Sequence, residues 1–247
     1  MSGALVVNEI FLSLQGESTF AGLPCVFVRL TACNLRCSYC DTAYAFTEGR
    51  KMALGEIITE VGRLAGPFKK SPPPAPGTVL PLVELTGGEP LLQTNSRPLL
   101  RELCNGGFTV LLETSGALDI ASVDPRVRRI VDVKCPASGE SERNRWENLP
   151  HLRAADEVKF VIATAEDYAW AKDVLAQHRL AAVCPVLFSW AMPLESAQRD
   201  PSLKSIPRGQ TPISRQQLAE RILADALPVR FQLQMHKYIW PPDQRGV

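Results

Sequence analysis

Leu82-Val83-Glu84-Leu85-Thr86-Gly87-Gly88-Glu89-Pro90 reads as a short β-strand that runs directly into a turn of two glycines, an acid and a proline. The glycines let a backbone come close to a ligand, and Glu89 stabilises the turn. The same arrangement recurs along the chain. Strands are predicted over residues 6–14, 25–30, 82–86, 109–113, 130–134, 157–162, 183–188 and 231–234, the first being either a sheet strand or an arm of an N-terminal hairpin. Helical stretches lie between them, the alternation expected of a mostly parallel sheet covered by helices. Residues 29–33, 86–90, 113–116 and 132–136, together with His236, carry the polar chemistry, and all fall at C-terminal strand ends. In parallel βα architectures that edge binds ligands, because its loops are free of the packing the strands must do.

Leu54, Ile57, Ile58, Val61 and Leu64 recur at three- and four-residue spacing and predict a helix whose apolar stripe packs on the sheet. Ser214 with Gln217 reads as a capping box opening a helix through Leu218 and Ile222, and Asn95 or Ser96 ahead of Pro98 opens another. Two stretches break the pattern. Residues 66–81 hold six prolines and two lysines and predict an exposed extended loop; residues 192–212 are polar and proline-marked and predict a surface excursion or a lid. With these two excursions set aside, residues 1–247 are expected to form one compact domain.

Lys and Arg total 27 against 26 for Asp and Glu. That balance provides no field favouring nucleic acid or an anionic membrane, so a small-molecule partner is expected. No apolar run approaches the roughly 18 residues of a membrane span, and no targeting segment is recognised. Seven cysteines, an odd number, are distributed as three within eight residues and four isolated ones: Cys25, Cys104, Cys135 and Cys184. This is no disulfide framework of a secreted protein; a reducing, cytoplasmic compartment is expected, with the isolated cysteines as small core residues.

Cys33-Asn34-Leu35-Arg36-Cys37-Ser38-Tyr39-Cys40 sets three thiols on one tight loop. A structural zinc would need a fourth ligand, and His151, His178 and His236 stand alone. Chance core cysteines sit poorly with the polar Asn34, Arg36 and Asp41. A [4Fe–4S] cluster normally takes four thiolates. Three would leave one iron open to a substrate or cofactor.

The CX3CX2C spacing resembles that of the radical S-adenosylmethionine superfamily, and the GGE segment 87–89 resembles the one with which that superfamily binds the methionine ammonium group. Ser13-Leu14-Gln15-Gly16-Glu17, Phe27-Val28-Arg29-Leu30, Cys40-Asp41-Thr42, Asp132-Val133-Lys134-Cys135-Pro136-Ala137-Ser138-Gly139 and Gln234-Met235-His236-Lys237-Tyr238 narrow the resemblance to the 7-carboxy-7-deazaguanine synthase family. The resemblance implies an incomplete (β/α)6 TIM-like partial barrel, open on one side. It further implies a Mg²⁺-assisted ring contraction of 6-carboxy-5,6,7,8-tetrahydropterin to 7-carboxy-7-deazaguanine, with loss of ammonia, in queuosine and other 7-deazapurine biosynthesis. S-adenosylmethionine would supply the radical and be regenerated.

By the same resemblance Cys33, Cys37 and Cys40 hold the cluster and Thr42 the Mg²⁺. Tyr39, Asp41, Gly88, Lys134, Pro136 and Ser138 bind S-adenosylmethionine. Leu14, Gln15, Gly16, Glu17, Thr86, Gln234 and His236 face the pterin, and Arg29 offers its carboxylate a planar fork of donors. A flavodoxin or ferredoxin reductant and a homodimer are expected on family likeness. Two rivals share the sequence features: another radical enzyme such as a glycyl-radical activating enzyme, and a non-catalytic iron–sulfur electron-transfer module, which predicts a fourth protein ligand.

Overall fold

A computed structural model describes residues 3–68, 70–241 and 244–247. Lys69 of the proline-rich loop lies outside the described residues, as do Met1, Ser2, Pro242 and Asp243. In chain order the elements are β1 (Ala4–Leu14), β2 (Pro24–Leu30), β3 (Arg50–Ala53), α1 (Leu54–Ala65), β4 (Leu82–Gly87), α2 (Ser96–Asn105), β5 (Val110–Thr114), β6 (Arg128–Asp132), β7 (Glu157–Ile162), α3 (Ala165–Gln177), β8 (Val186–Trp190), α4 (Arg215–Ala224), β9 (Arg230–Gln232) and α5 (His236–Ile239), with short 3-10 turns between. One sheet contains all nine strands in the order β3-β1-β2-β4-β5-β6-β7-β8-β9. From β2 to β9 every neighbouring pair is parallel. β1 lies antiparallel between β2 and β3, so the first strand is a hairpin arm and the sheet has two free edges instead of closing into a barrel.

Period-two alternation divides the parallel strands into two faces. Val26 and Val28 of β2, Val83 and Leu85 of β4, Val131 of β6 and Phe160 of β7 point outward into a large core shared with the helices. The α1 stripe joins that core, with Leu54, Ile57 and Val61 buried and Ile58 and Leu64 packed at its margin. Cys25, Phe27, Leu82, Leu111 and Ile130 point the other way and form a small apolar plug at the N-terminal end of the inner face. Above the plug the same inner positions turn polar: Arg29, Glu84, Glu113, Asp132 and Lys159 line one cavity.

The loop after β1 crosses this inner face. The Gln15 amide reaches Glu84 on β4, Thr19 N donates to both oxygens of Glu157 on β7, and Gln232 Nε2 on β9 donates to Ser18 O at 3.1 Å. The open half-barrel is therefore filled by its own chain and not by a closing strand.

Four elements differ from the sequence-based expectation, one being β9, which ends at Gln232, two residues early. β3 is short and mostly exposed, so its pattern carries no hydrophobic signal. β6 ends at Asp132, two residues early, because Lys134 N turns aside to Asn144 Oδ1 at 2.8 Å. The eighth strand runs Val186–Trp190, since the apolar residues before it form a 3-10 turn, Leu180–Ala182. Ser214 and Gln217 cap α4 reciprocally, as their spacing predicts. Residues 70–77 are exposed. Among the described residues no helix is long and apolar enough to cross a membrane.

Candidate active site

A cavity of about 610 Å³ opens at the C-terminal edge of the parallel strands. One wall is the cysteine loop that leaves β2. Its entry residue, Ala32, has a left-handed backbone (φ 79°), a conformation costly for a residue with a Cβ. The strain is held by hydrogen bonds on both sides: Ala32 N donates to Ala45 O at 2.9 Å, and Ala32 O accepts from Glu89 N at 2.8 Å. Cys33, Cys37 and Cys40 are free thiols on the cavity wall. Burial pushes the Cys37 thiol up to about 12, opposed by Lys134 and reinforced by Cys40 and Cys33. Three soft sulfurs within electrostatic reach of one another, with a lysine beside them, fit an iron–sulfur cluster, in which each thiolate takes a different iron. Among the described residues no group of three or more His, Cys, Asp or Glu side chains converges on a single metal ion.

The far side of the loop is anchored by the turn after β6. Ser38 N donates to Ser138 O at 3.1 Å, Ser38 Oγ to Ala137 O at 2.6 Å, and Arg36 N to Glu140 Oε1 at 2.7 Å. Here the placement departs from the expected cofactor stretch. Lys134 lines the cavity, with Nζ 2.7 Å from Asp132 Oδ2, but Pro136 and Ser138 do not. Ser138 is fully buried and its hydroxyl donates to Cys135 O at 2.6 Å, closing the 3-10 turn Pro136–Ser138. Ser138 supports the cysteine loop from behind through its carbonyl, which accepts from Ser38 N.

The GGE segment is the other support. Gly88 N donates to Leu30 O at 3.2 Å, so the glycines bring β4's turn against the start of the cysteine loop. Glu89 is completely buried. Its carboxylate accepts from Leu91 N at 2.9 Å, from Thr114 Oγ1 at 2.9 Å, and from Ser115 N and Oγ at 2.7 and 2.6 Å. It thus staples the turn after β4 to the end of β5, which accounts for both the acid and the Thr-Ser pair.

On the opposite wall, Arg29 uses Nε to bind Glu9 Oε1 at 2.8 Å and sits against the rings of Phe11 and Tyr44. Among the described residues its two terminal nitrogens have no hydrogen-bond partner. Gly16 lies under α5: Met235 N donates to Gly16 O at 3.0 Å, and a Cβ on Gly16 would stand 2.6 Å from His236 Nδ1. Gln234 Nε2 bridges Glu17 Oε1 (3.1 Å) and Asp41 Oδ2 (3.2 Å), and Lys237 Nζ binds Asp41 at 2.5 Å and Gln234 Oε1 at 2.6 Å. Burial would raise the Asp41 carboxyl, but Lys237 holds it well below its ordinary value. Leu14, Gln15, Gly16, Glu17, Arg29, Tyr39, Asp41, Thr42, Thr86, Gly88, Gln234 and His236 thus share the cavity with the three cysteines.

Sequence reasoning missed the charged floor of the cavity. Lys159 Nζ, buried on β7, pairs with Glu17 Oε2 at 3.0 Å and with Glu113, and lies 4.0 Å from Asp132 Oδ2. Burial opposes its charge, yet Glu113, Glu17 and Asp132 raise its pKa well above the usual lysine value. Burial also lifts the Glu84 carboxyl far above the carboxylate range, with Glu113 adding to the effect. The signal was available: strands of a parallel sheet packed on both faces should read as near-continuous apolar runs, and Glu84 and Lys159 interrupt two of them. Gln198 to Pro201, from the 192–212 excursion, supply a further edge of the cavity.

No family model matches the chain. A 7-carboxy-7-deazaguanine synthase of Koribacter versatilis is 46% identical, covering 98% of this chain and 99% of the relative. That of Chlorobaculum tepidum is 43% identical, covering 98% and 97%. Among solved structures, QueE from Escherichia coli superposes with a TM-score of 0.66 at 21% identity, covering 94% of this chain and 95% of that one. Streptococcus suis SuiB bound to S-adenosylmethionine superposes with a TM-score of 0.55 at 12% identity, covering 82% and 48%. The two structures share the fold, an open α/β sheet. Identity above two in five, sustained along almost the whole of both chains, places this chain in the 7-carboxy-7-deazaguanine synthase family.

Proposed function

We propose that the chain converts 6-carboxy-5,6,7,8-tetrahydropterin to 7-carboxy-7-deazaguanine with loss of ammonia, as a cytoplasmic radical S-adenosylmethionine lyase of queuosine or related 7-deazapurine biosynthesis. One observation carries the reading: a three-thiol wall and an arginine with a free guanidinium edge face the same cavity. Cys33, Cys37 and Cys40 would hold a [4Fe–4S] cluster, with S-adenosylmethionine beside Tyr39, Asp41, Gly88 and Lys134. When bound and reduced, that pair would supply one-electron radical chemistry at the substrate.

The chain's own residues then bind and orient. Glu9 accepts from Nε of Arg29 and fixes the plane of the guanidinium, leaving the terminal nitrogens to donate to a carboxylate in the bidentate manner that Lys cannot reproduce. Glu17, held ionised by Lys159 and His236 against the effect of burial, offers an acceptor to the amino groups of a pterin. Gln15, Gly16, Thr86, Gln234 and His236 complete that side, and Thr42 offers a hard oxygen to Mg²⁺, which keeps few protein ligands and fills its octahedron from substrate and water. A flavodoxin or ferredoxin would deliver the electron, and the chain would work as a homodimer.

The test is anaerobic incubation of the reconstituted, reduced protein with S-adenosylmethionine, Mg²⁺ and the carboxytetrahydropterin, followed by mass analysis. A product lighter by ammonia, with S-adenosylmethionine not consumed, is expected. Cofactor cleavage without that product would overturn the assignment in favour of an enzyme acting on another substrate.

A further inference from the structure

The 192–212 excursion does more than edge the cavity. Lys204 N donates to Arg36 O at 2.9 Å, on the cysteine loop immediately before Cys37. Lys204 Nζ lies 2.9 Å from Glu140 Oε2 and donates to Gly139 O at 2.6 Å. Glu140, with a side chain only 6% exposed, gives its other oxygen to Arg36 N at 2.7 Å. One residue of the cysteine loop is therefore held at both backbone polar groups, its N–H by Glu140 and its carbonyl by Lys204. Gly139, in the left-handed region at φ 72°, makes room for this arrangement: a Cβ there would stand 2.9 Å from Lys204 Cδ. Neither Glu140 nor Lys204 lines the cavity.

We propose that Glu140 and Lys204 are positioning residues that clamp the cysteine loop at Arg36 and set the reduction potential of the cluster through their opposed charges. The proposal rests on the function given above. A carboxylate buried against the loop disfavours adding an electron to the cluster, since charges interact strongly where water is excluded. The ammonium opposes it from a half-exposed position, where solvent screens its effect, so the glutamate dominates. The excursion is thus tied to the redox centre as well as to the rim of the site.

The experiment is an electron-paramagnetic-resonance redox titration of anaerobically reconstituted parent protein, Glu140→Gln and Lys204→Met, with iron and sulfide content measured in each. Glutamine keeps an oxygen for Arg36 N and removes the charge; methionine keeps the Lys204 backbone bond and removes the ammonium. With parent-level iron and sulfide, the midpoint is expected to move positive in Glu140→Gln and, by less, negative in Lys204→Met. Unchanged midpoints in fully loaded variants, or shifts of the same sign, would overturn the proposal. If Glu140→Gln fails to take up the cluster, Lys204→Met decides alone: a negative shift supports the assignment of the potential to these charges, and none refutes it. A parent protein that binds no iron and sulfide would refute the functional reading instead, so the two failures are distinguishable.

Discussion

A Cβ on Gly88 would stand 2.8 Å from the Cβ of Cys33, the first cysteine of the loop, and would also intrude on the carbonyl of Ala32. The obstructing atoms are mainly backbone, which cannot swing away as the tip of a flexible side chain can. Gly88→Ala must therefore displace the cysteine loop, and iron and sulfide content after reconstitution should fall well below that of the parent. Gly62, on α1 with nothing within 4 Å, is the control. Its replacement by alanine should leave the cluster intact and raise stability by about 0.5–1 kcal/mol, because helix interiors disfavour glycine. Equal loading in both variants would mean that the Gly88 contact yields cheaply.

Glu89 gathers buried donors from two strand ends, so Glu89→Ala should strand several of them at once. Each buried unsatisfied group costs about 1–3 kcal/mol, and a total loss of roughly 2–4 kcal/mol is expected after partial relaxation. Glu89→Gln, which keeps one acceptor oxygen, should lose less. The shift of the urea midpoint against the parent measures both; a loss below about 1 kcal/mol in the alanine variant would show that Thr114 and Ser115 find other partners.

The outer face of this fold was legible because it is repetitive: Val83 and Leu85, or Leu54, Ile57 and Val61, announce their partners by period alone. The cysteine loop and GGE turn were legible because their spacing is tied to a chemistry. What the sequence hid is long-range. Glu140 and Lys204 are sixty-four residues apart, with nothing local to mark that both meet Arg36. Ser138 illustrates the converse: a motif names a residue without saying which way its hydroxyl turns, and here it closes its own turn. Glu84 and Lys159 were visible as charges within apolar strands, but pairing them with Gln15, Glu17 and Glu113 requires the sheet to curl.

Lys159→Met leaves Glu17, Glu113 and Asp132 on the inner face without the cation that three of their contacts share. Removing one partner of a buried pair typically costs about 3–5 kcal/mol. The sign with pH follows from which form suffers. Without Lys159, burial raises the Glu17 carboxyl with its strongest charge partner gone, so the penalty is full when Glu17 is ionised and is relieved as it protonates. The melting temperature of the variant should lie furthest below the parent's at about pH 8 and approach it as the pH falls toward about 5. A gap that widens on acidification would show that the lysine does not serve to balance these acids.

Asp156 offers a stability test away from the cavity, since it precedes β7 and lies at the opposite end of the strands from the active site. It is fully buried and accepts from Arg129 N and Nε at 3.1 Å each, from Arg129 Nη2 at 2.5 Å and from Arg153 N at 2.8 Å. Burial alone would raise its pKa, but the hydrogen bonds of Arg129 and Arg153 outweigh it and hold the carboxyl below the ordinary aspartate value. A carboxyl depressed in this way stabilises the fold above its unfolded pKa, near 4, and the contribution disappears as the pH falls through the lower folded value. Asp156→Asn should therefore cost about 3–5 kcal/mol at neutral pH, because the buried Arg129 loses its counter-charge in a dry site and the partly exposed Arg153 loses its ion partner. Unfolding curves of variant and parent should draw together by at most about 1.4 kcal/mol per pH unit as the pH falls below about 4, while the cluster spectrum of the variant at neutral pH stays that of the parent. Curves that remain parallel across that range would mean that the carboxylate contributes as a hydrogen-bonding shape, with its charge immaterial.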